Sequence, residues 1–463
     1  MPDLVNGNEL IAFGWKPGPM IGRIKRAAVE LHLPREEFLA TLDALRADPE
    51  VYLSHPVLGA IARELTVAAK YLPEKPVLHA RPVPYQTWGA AQIDSGARAQ
   101  MDNAMRLPVS AAGALMPDAH QGYGLPIGGV LATEGCVIPY AIGVDIACRM
   151  RLSIYDAAPE KLDEFRTEYR ESILGNTHFG AGVESPADVV HQVLDDPAWK
   201  ETPLLRSLHS TAIRQIGTSG SGNHFCEWGS ITIAERDDVL GLNPGKYIAL
   251  LTHSGSRGVG FKIANAFSKI AGALHPLLDE SVKHLAWLPL EHEEGAKYWL
   301  SMELAGRFAS ANHQVIHQRV AAALGLTELT HVENHHNFGW RKVVEGREVI
   351  VHRKGATPAE RDVLGVIPGS MADPGYVVRG KGNAASLDSA SHGAGRRMSR
   401  RASMRTIAVE DWQAYLQERG IELLGGGIDE SPQSYKRIQD VIADQSDLVD
   451  TIGEFMPRIV RMA

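Results

Sequence analysis

Tyr247-Ile248-Ala249-Leu250-Leu251-Thr252-His253-Ser254-Gly255-Ser256-Arg257-Gly258 joins a short apolar run to a histidine set among small residues. The run is too short for a buried helix and is bounded by turn formers, so it predicts a buried strand delivering His253 to a loop. Glu348-Val349-Ile350-Val351 before His352 repeats the pattern, and both histidines are expected to point into loops. From Pro82 onward the chain is rich in glycine and in strands of this kind. Helical periodicity marks Lys262 to Leu274, Tyr298 to Leu324 and Val409 to Arg419. Before Pro82 the texture changes: Ile21, Ile24, Ala28 and Leu31 share one helical face, as do Phe38, Leu42 and Leu45 after Pro34, and Leu58, Ile61, Leu65 and Ala68 after Pro56. The expectation is an α+β protein: a helical extension over residues 1–81, then one elaborate domain over 82–463 with mixed sheets.

Composition sets the limits. With 463 residues, 44% hydrophobic and 22% charged, the chain can bury a large core. Met1-Pro2-Asp3-Leu4-Val5-Asn6 has no basic segment leading into an apolar run, and about 18 uninterrupted apolar residues occur nowhere. Cytoplasmic residence without a membrane partner is the default expectation. Cys136, Cys148 and Cys226 are too few and too irregularly spaced for a disulfide framework, which leaves metal binding or reactivity as the special role for one of them. A net charge of −8 argues against a generally basic nucleic-acid coat but leaves room for a local basic channel.

Five histidine islands carry the chemistry: Pro117-Asp118-Ala119-His120-Gln121-Gly122, Gly222-Asn223-His224-Phe225, the stretch at His253, Asn334-His335-His336-Asn337, and Ser391-His392-Gly393-Ala394-Gly395-Arg396. Between the first two lies Asp145-Ile146-Ala147-Cys148. Aspartate and cysteine three apart can aim two unlike ligands at one point, with His224, His253 and His336 arriving from loops and strand ends. Alone, Asp-x-x-Cys is ordinarily a capped turn with a buried thiol, and a histidine beside asparagine a surface hydrogen-bonder. Their coincidence is what favours a metal site, and ligand softness points to zinc first and manganese second.

His392 sits in a small-residue loop where phosphate oxygens can approach both the ring and exposed backbone N–H groups, making it a candidate nucleophile for phosphoryl or nucleotidyl chemistry. Gly217 to Asn223, His253 to Arg257 and Ile367-Pro368-Gly369-Ser370 are further loops able to offer clustered N–H donors, although ordinary turn chemistry explains any one of them. His352-Arg353-Lys354-Gly355, and Arg396-Arg397 with Arg400-Arg401, place cations beside these loops in an acidic chain, which favours a localised anion site.

These motifs, with Gly143-Val144 before Asp145, Cys226-Glu227 after Phe225 and Ala356-Thr357 after Gly355, closely resemble the signatures of the RtcB-type RNA ligases, in order from about Pro117 to Arg400. The resemblance implies that family's fold around a central metal cleft. It implies that Cys148 bridges two manganese ions, with Asp145 and His224 completing one site and His253 and His336 the other, and that His392 carries GMP from GTP as a phosphoramidate. Asn223, Asn337, Ser370, Gly393, Ala394 and Gly395 would hold the guanylate, Glu227 and Tyr435 would lie near guanine, and Arg257, Arg353, Lys354 and Arg396 would face RNA or phosphate. The implied reaction joins an RNA 3′-phosphate, or a 2′,3′-cyclic phosphate, to a 5′-hydroxyl. Implied partners are RNA with broken ends, such as tRNA halves or damaged RNA, and an archease-like activator.

The chain departs from the pattern in three places. Ala147 and Arg149 flank the cysteine where the family usually has Asn and Gly, the terminus lacks the family's Val-Lys-Gly tail, and the extension before Pro82 is long. A divergent paralogue is therefore expected. Two rival chemistries use the same residues: a dinuclear metal phosphodiesterase or phosphatase with His392 as proton donor, which needs no GTP, and a non-catalytic RNA-end binder that forms no adduct.

Overall fold

The computed structural model describes residues 5–15, 18–70, 75–186 and 188–463. The chain divides between Lys75 and Pro76, earlier than the expected boundary at 82. The reason is local: His79 N–H donates to the Arg106 carbonyl, Arg106 Nε donates back to His79, and Leu78 packs with Met101 and Met105 of the larger unit.

The smaller unit contains helices Gly7–Ala12, Pro19–Leu31, Arg35–Ala47 and Gly59–Lys70. Asn6 and Glu9 form a reciprocal capping box at the first. Ile24, Ala28, Phe38, Leu42, Leu45, Leu58 and Ile61 meet in one buried cluster, as their spacing predicts, with Ile21, Leu31 and Leu65 partly buried against it. The side chain of Ala68 and residues 1–4 lie outside the described residues.

The larger unit is one α+β body built on two sheets. The first follows the strand order Leu364–Ile367, Gly375–Gly380, Val449–Met462, Phe225–Ile233, Gly245–Ser254, Arg149–Tyr155, Glu328–His335, antiparallel throughout, with Glu422–Leu423 parallel to Val449–Met462. It curls until its end strands meet. There the Asn334 side chain stands in for a ladder, accepting from Val366 N–H at 2.8 Å and donating to the Val366 carbonyl at 3.4 Å. Met150, Leu152, Ile154, Ile231, Ala249, Leu251, Val332, Val366, Val377 and Phe455 fill the interior. The alternate residues Tyr155, Cys226, Trp228, Ile248 and Leu250 pack outward with Tyr169 and Ile173 of helix Arg166–Asn176 and Ile316 and Val320 of helix Glu293–Ala322.

The second sheet has the order Gln86–Thr87, Ser110–His120, Ile127–Thr133, Arg347–Lys354, Asn337–Val344. Its last strand follows Glu328–His335 of the first sheet with only His336 between, so His336 sits where the chain crosses from one sheet to the other. The three expected helices are observed as Arg257–Leu274, Glu293–Ala322 and Val409–Glu418. Among the described residues no helix is long and apolar enough to cross a membrane.

Candidate active site

Strand alternation decides which side chains reach the mouth of the barrel. Ala249 and Leu251 face inward, so His253 does too, and Glu227 shares the inward face of Ile231 and Ile233. Cys148 ends the loop before Arg149–Tyr155. That loop is pinned by the second sheet: Ala147 N–H donates to the Asn337 carbonyl at 2.7 Å, Asn337 Nδ2 donates to the Asp145 carbonyl at 3.2 Å, and His336 N–H donates to the Cys148 carbonyl at 3.0 Å. Ala147 holds φ at +58°, the left-handed region that Asn and Gly tolerate best.

The five expected ligands converge. Cys148 Sγ lies 3.1 Å from His253 Nε2 and 3.5 Å from His224 Nε2; His224 Nε2 lies 3.1 Å from Asp145 Oδ2, and His253 Nε2 lies 3.3 Å from His336 Nε2. Two of the rings are oriented from behind, with His224 Nδ1 against the Ser219 carbonyl at 2.8 Å and His253 Nδ1 against the Asn223 carbonyl at 3.1 Å. Those contacts place the protons on Nδ1 and leave the Nε2 lone pairs aimed at the thiol, the usual arrangement behind metal-bound imidazoles. Burial, reinforced by the Asp145 charge, pushes the Cys148 thiol well above its ordinary range, and burial holds His253 and His336 neutral. Imidazole lone pairs, a carboxylate and a thiol converging in one buried spot are a donor set that a cation would satisfy, so the residues fit a metal. Cys148, His224 and His253 bring their ligand atoms within 4.8 Å of one another. Two glycines allow the approach: a Cβ on Gly255 would lie 2.2 Å from the Asp145 carboxylate, and one on Gly220 would lie 2.3 Å from His224 Nδ1.

His392 enters from the other side. Strand Ser389–Ser391 pairs with Ala356–Pro358, and Gln445 receives the Ser391 N–H, which fixes the loop that follows. The His392 ring lies 4.9 Å from that of His336. Asp118, fully buried at the end of Ser110–His120, accepts from His392 N–H at 3.2 Å and binds its Nδ1 at 2.6 Å. Burial opposes the Asp118 charge, but His392, through charge and hydrogen bond, outweighs it and holds the carboxyl below its ordinary range. His392, but not the buried Asp118 behind it, borders a cleft of about 1000 Å³ lined also by His120, Asn223, Glu227, His253, His336, Pro368 to Met371, Gly393 to Arg397, Tyr435, Val460 and Met462. Burial pulls His120 down to about 4 and pushes the Glu227 carboxyl well above its usual range.

Several expectations need correction. Arg353 is 0% exposed; its guanidinium is spent on Ser389 Oγ, Glu360 and the Leu387 and Asp388 carbonyls, so it braces the sheet and faces neither RNA nor phosphate. Lys354 is buried as well, with Nζ on the Tyr123 and Tyr140 carbonyls. His352 does not point into a loop: its ring is clamped inside the sheet between the Leu131 carbonyl and Ile138 N–H. Asn337 is outside the cleft lining, its amide occupied by Asp145 and Gly355. Arg257 bonds Thr218 and the Gly180 carbonyl beside the candidate metal ligands. Arg396 does line the cleft, tied to Glu430, Tyr435 and the Asp429 carbonyl. Asn223, Glu227, Ser370, Gly393, Ala394, Gly395 and Tyr435 all border the cleft. Cys136 and Cys226 sit in apolar cores, apart from the ligands. Sequence reasoning assigned no role to Asp118, although it sits in the first histidine island; its partner lies 274 positions away.

A sequence model of the family described as tRNA-splicing ligase RtcB matches residues 100–462. The RNA-splicing ligase RtcB of Escherichia coli (strain K12) is 33% identical over 401 residues, covering 80% of this chain and 95% of the relative. The chain belongs to the RtcB family of RNA ligases. The RNA-splicing ligase RtcB of Mycobacterium tuberculosis (strain ATCC 25618 / H37Rv) is 30% identical over 441 residues, covering 77% of this chain and 98% of the relative. The tRNA-splicing ligase RtcB of Thermococcus kodakarensis is 28% identical over 400 residues, covering 71% and 82%. The match to the RtcB family model begins within the larger unit, beyond the helices that precede Lys75.

Proposed function

We propose that this protein is a GTP- and manganese-dependent RNA ligase that joins a 3′-phosphate, or a 2′,3′-cyclic phosphate, to a 5′-hydroxyl through a histidine–GMP adduct on His392. The observation that carries the reading is His392 at the edge of the cleft, next to His336 and bound from behind by the buried Asp118 carboxylate. Asp118 keeps the proton on Nδ1 and frees the Nε2 lone pair for attack. The attack forms an N–P bond at the α-phosphorus of GTP, breaks the α–β bridge and releases pyrophosphate.

The 3′-phosphate of one RNA end then takes GMP from His392, breaking the N–P bond, and the 5′-hydroxyl of the other end displaces GMP to leave a phosphodiester. A cyclic end requires opening by water beforehand. Asp145, Cys148, His224, His253 and His336 would hold two manganese ions, which when bound supply the positive charge that offsets the phosphates. Backbone N–H groups of Gly393 to Gly395, with Asn223 and Ser370, suit the nucleotide phosphate, and Glu227 and Tyr435 suit its base.

The test is incubation with labelled GTP and manganese followed by denaturing electrophoresis. The wild type should carry acid-labile label and His392→Ala none, with metal content unchanged. An adduct that persists in the variant removes His392 from the role, and RNA-end hydrolysis without GTP favours the phosphodiesterase instead.

A further inference from the structure

Beside the cleft lies a surface that the adduct chemistry does not use. Tyr123 borders the cleft yet is 70% exposed. Its ring meets His284 edge-on at 6.3 Å, and His284 stacks on Tyr140 at 5.2 Å and 30°. Lys354 holds this tier from behind: Nζ donates to the Tyr123 carbonyl at 2.5 Å and the Tyr140 carbonyl at 3.3 Å, and stands 5.4 Å from the Tyr140 ring centroid. Two ring-bearing segments are thereby fastened to one buried cation, which makes the tier a stiff platform. Beyond it opens a recess of about 190 Å³ lined by Tyr140, Asn265, Ser268, Lys269, Lys283 and His284.

Ser268 Oγ is buried there with no hydrogen-bond partner among the described residues. Phe261, Asn265 and Lys269 recur every fourth residue along helix Arg257–Leu274, so an exposed ring, an amide and an ammonium share one face of a helix that starts beside the metal ligands. Glu280 pairs with Lys283 at the rim.

We propose that this surface, from Tyr123 over His284 and Tyr140 to the recess at Lys269 and Lys283, binds the single-stranded RNA flanking the break. The inference rests on reading the cleft as an RNA end-joining site. Exposed rings interleaved with cations are what a single strand of any sequence needs: bases stack on the rings and phosphates lie against the ammonium groups. The recess is too small for a folded partner and has room for a phosphate, with Ser268 Oγ and Asn265 as donors. Continuity with the cleft through Tyr123 puts the strand where its end reaches His392. Lys354 contributes as a positioning residue that never touches RNA.

The test uses the full chain and single-stranded 5′-hydroxyl RNA oligonucleotides, with binding followed by fluorescence anisotropy across a salt series. Lys269→Gln with Lys283→Gln should weaken binding about tenfold and lower the salt slope by roughly 1.4, about 0.7 for each phosphate no longer neutralised. His284→Ala should weaken binding about tenfold with the salt slope unchanged. In both variants His392 should take up GMP at the wild-type rate, and ligation should show a raised KM for RNA at unchanged kcat.

Variants that melt like the wild type but bind RNA with unaltered affinity and slope overturn the surface, as does a wild type that binds no single-stranded RNA. Absence of a GMP adduct in a wild type whose RNA binding still depends on these residues overturns the proposed reaction and leaves the surface standing.

Discussion

Asp118→Asn is the sharpest perturbation of the proposed chemistry, because it keeps the shape of the side chain and removes only its charge. Asp118 Oδ2 receives two donors from His392, the backbone N–H at 3.2 Å and ring Nδ1 at 2.6 Å. A charge-assisted hydrogen bond of this kind contributes about 1.5–3 kcal/mol. If that stabilisation is realised as positive charge develops on the attacking imidazole, its loss slows adduct formation roughly 10- to 150-fold. A second effect acts in the same direction. The Asn amide can donate to Nδ1, which moves the ring proton to Nε2 and hides the lone pair needed for attack. The expected result is therefore a fall of at least tenfold in the single-turnover rate of GMP uptake at saturating GTP and manganese, with metal content unchanged. Asp118→Glu should restore little, since the side chain is fully buried and already in contact with His392 Nδ1 at 2.6 Å, so an added methylene displaces the carboxylate from the ring. An adduct rate within twofold of wild type in Asp118→Asn, with His392→Ala inactive, would refute the positioning argument.

Cys148→Ala should lower the content of both metal ions by elemental analysis, because it removes the ligand touching both His224 and His253; His336→Ala should affect mainly one, and full two-ion occupancy in Cys148→Ala would rule out the bridge. Glu333 is held at about 2 against an ordinary 4.5: burial opposes its charge, but Arg149, His313, the Ser310 hydroxyl and Arg151 outweigh it. A depressed folded-state value stabilises above the unfolded value and is lost as pH falls from 4.5 through about 2, so Glu333→Gln should cost about 3 kcal/mol at neutral pH and flatten acid unfolding in that window. GTP should be preferred over ATP through Glu227, which borders the cleft; Lys436 is committed to the Pro117 and Ala119 carbonyls, and Arg461 to the Ile173, Leu174 and Thr177 carbonyls. Glu227→Ala should lower the ratio of guanylylation to adenylylation about tenfold, and no change would dismiss Glu227 from base choice.

The secondary structure of the larger unit was legible wherever burial imposed a period. The apolar run at Tyr247 became a central strand, and three helical stripes became three helices, of which two start several residues earlier than their apolar patterns because Gly258 and Gly260 interrupt the pattern in one and Glu293, Glu294 and Lys297 in the other. Sheet order was not legible. It depends on pairings such as Val449–Met462 with Phe225–Ile233, far apart along the chain, and on the Asn334 amide that joins the end strands. The same distance hid Asp118 from His392. Charge misled where burial reverses its meaning: Arg353 and Lys354 read as anion binders from their neighbours, yet both are buried in a sheet strand, where Arg353 Nη2 and Lys354 Nζ donate to protein carbonyls.

Arg149 shows how much of a metal site is decided by strand parity. A bulky cation next to Cys148 reads from the sequence as a threat to bound metal, since like charge beside a cation lowers its affinity. Yet consecutive residues of a strand point to opposite faces. Cys148 points to the mouth of the barrel, so Arg149 must point out, and there it pairs with Glu333 and donates to the Gly306 carbonyl of helix Glu293–Ala322 at 2.8 Å. Arg149 thus fastens the outer helix to the strand that follows the thiol. On the other side of Cys148, Ala147 accepts the left-handed backbone at φ +58° that lets the chain turn into the strand. Replacing Arg149 with Gly should therefore leave metal affinity unchanged at neutral pH while costing about 1–3 kcal/mol of stability, because Glu333 loses one of its ion pairs but keeps Arg151 and the Ser310 hydroxyl. Metal titration and denaturant unfolding of Arg149→Gly measure the two quantities separately, and a variant that binds metal more tightly at unchanged stability would show that the guanidinium acts on the ions after all.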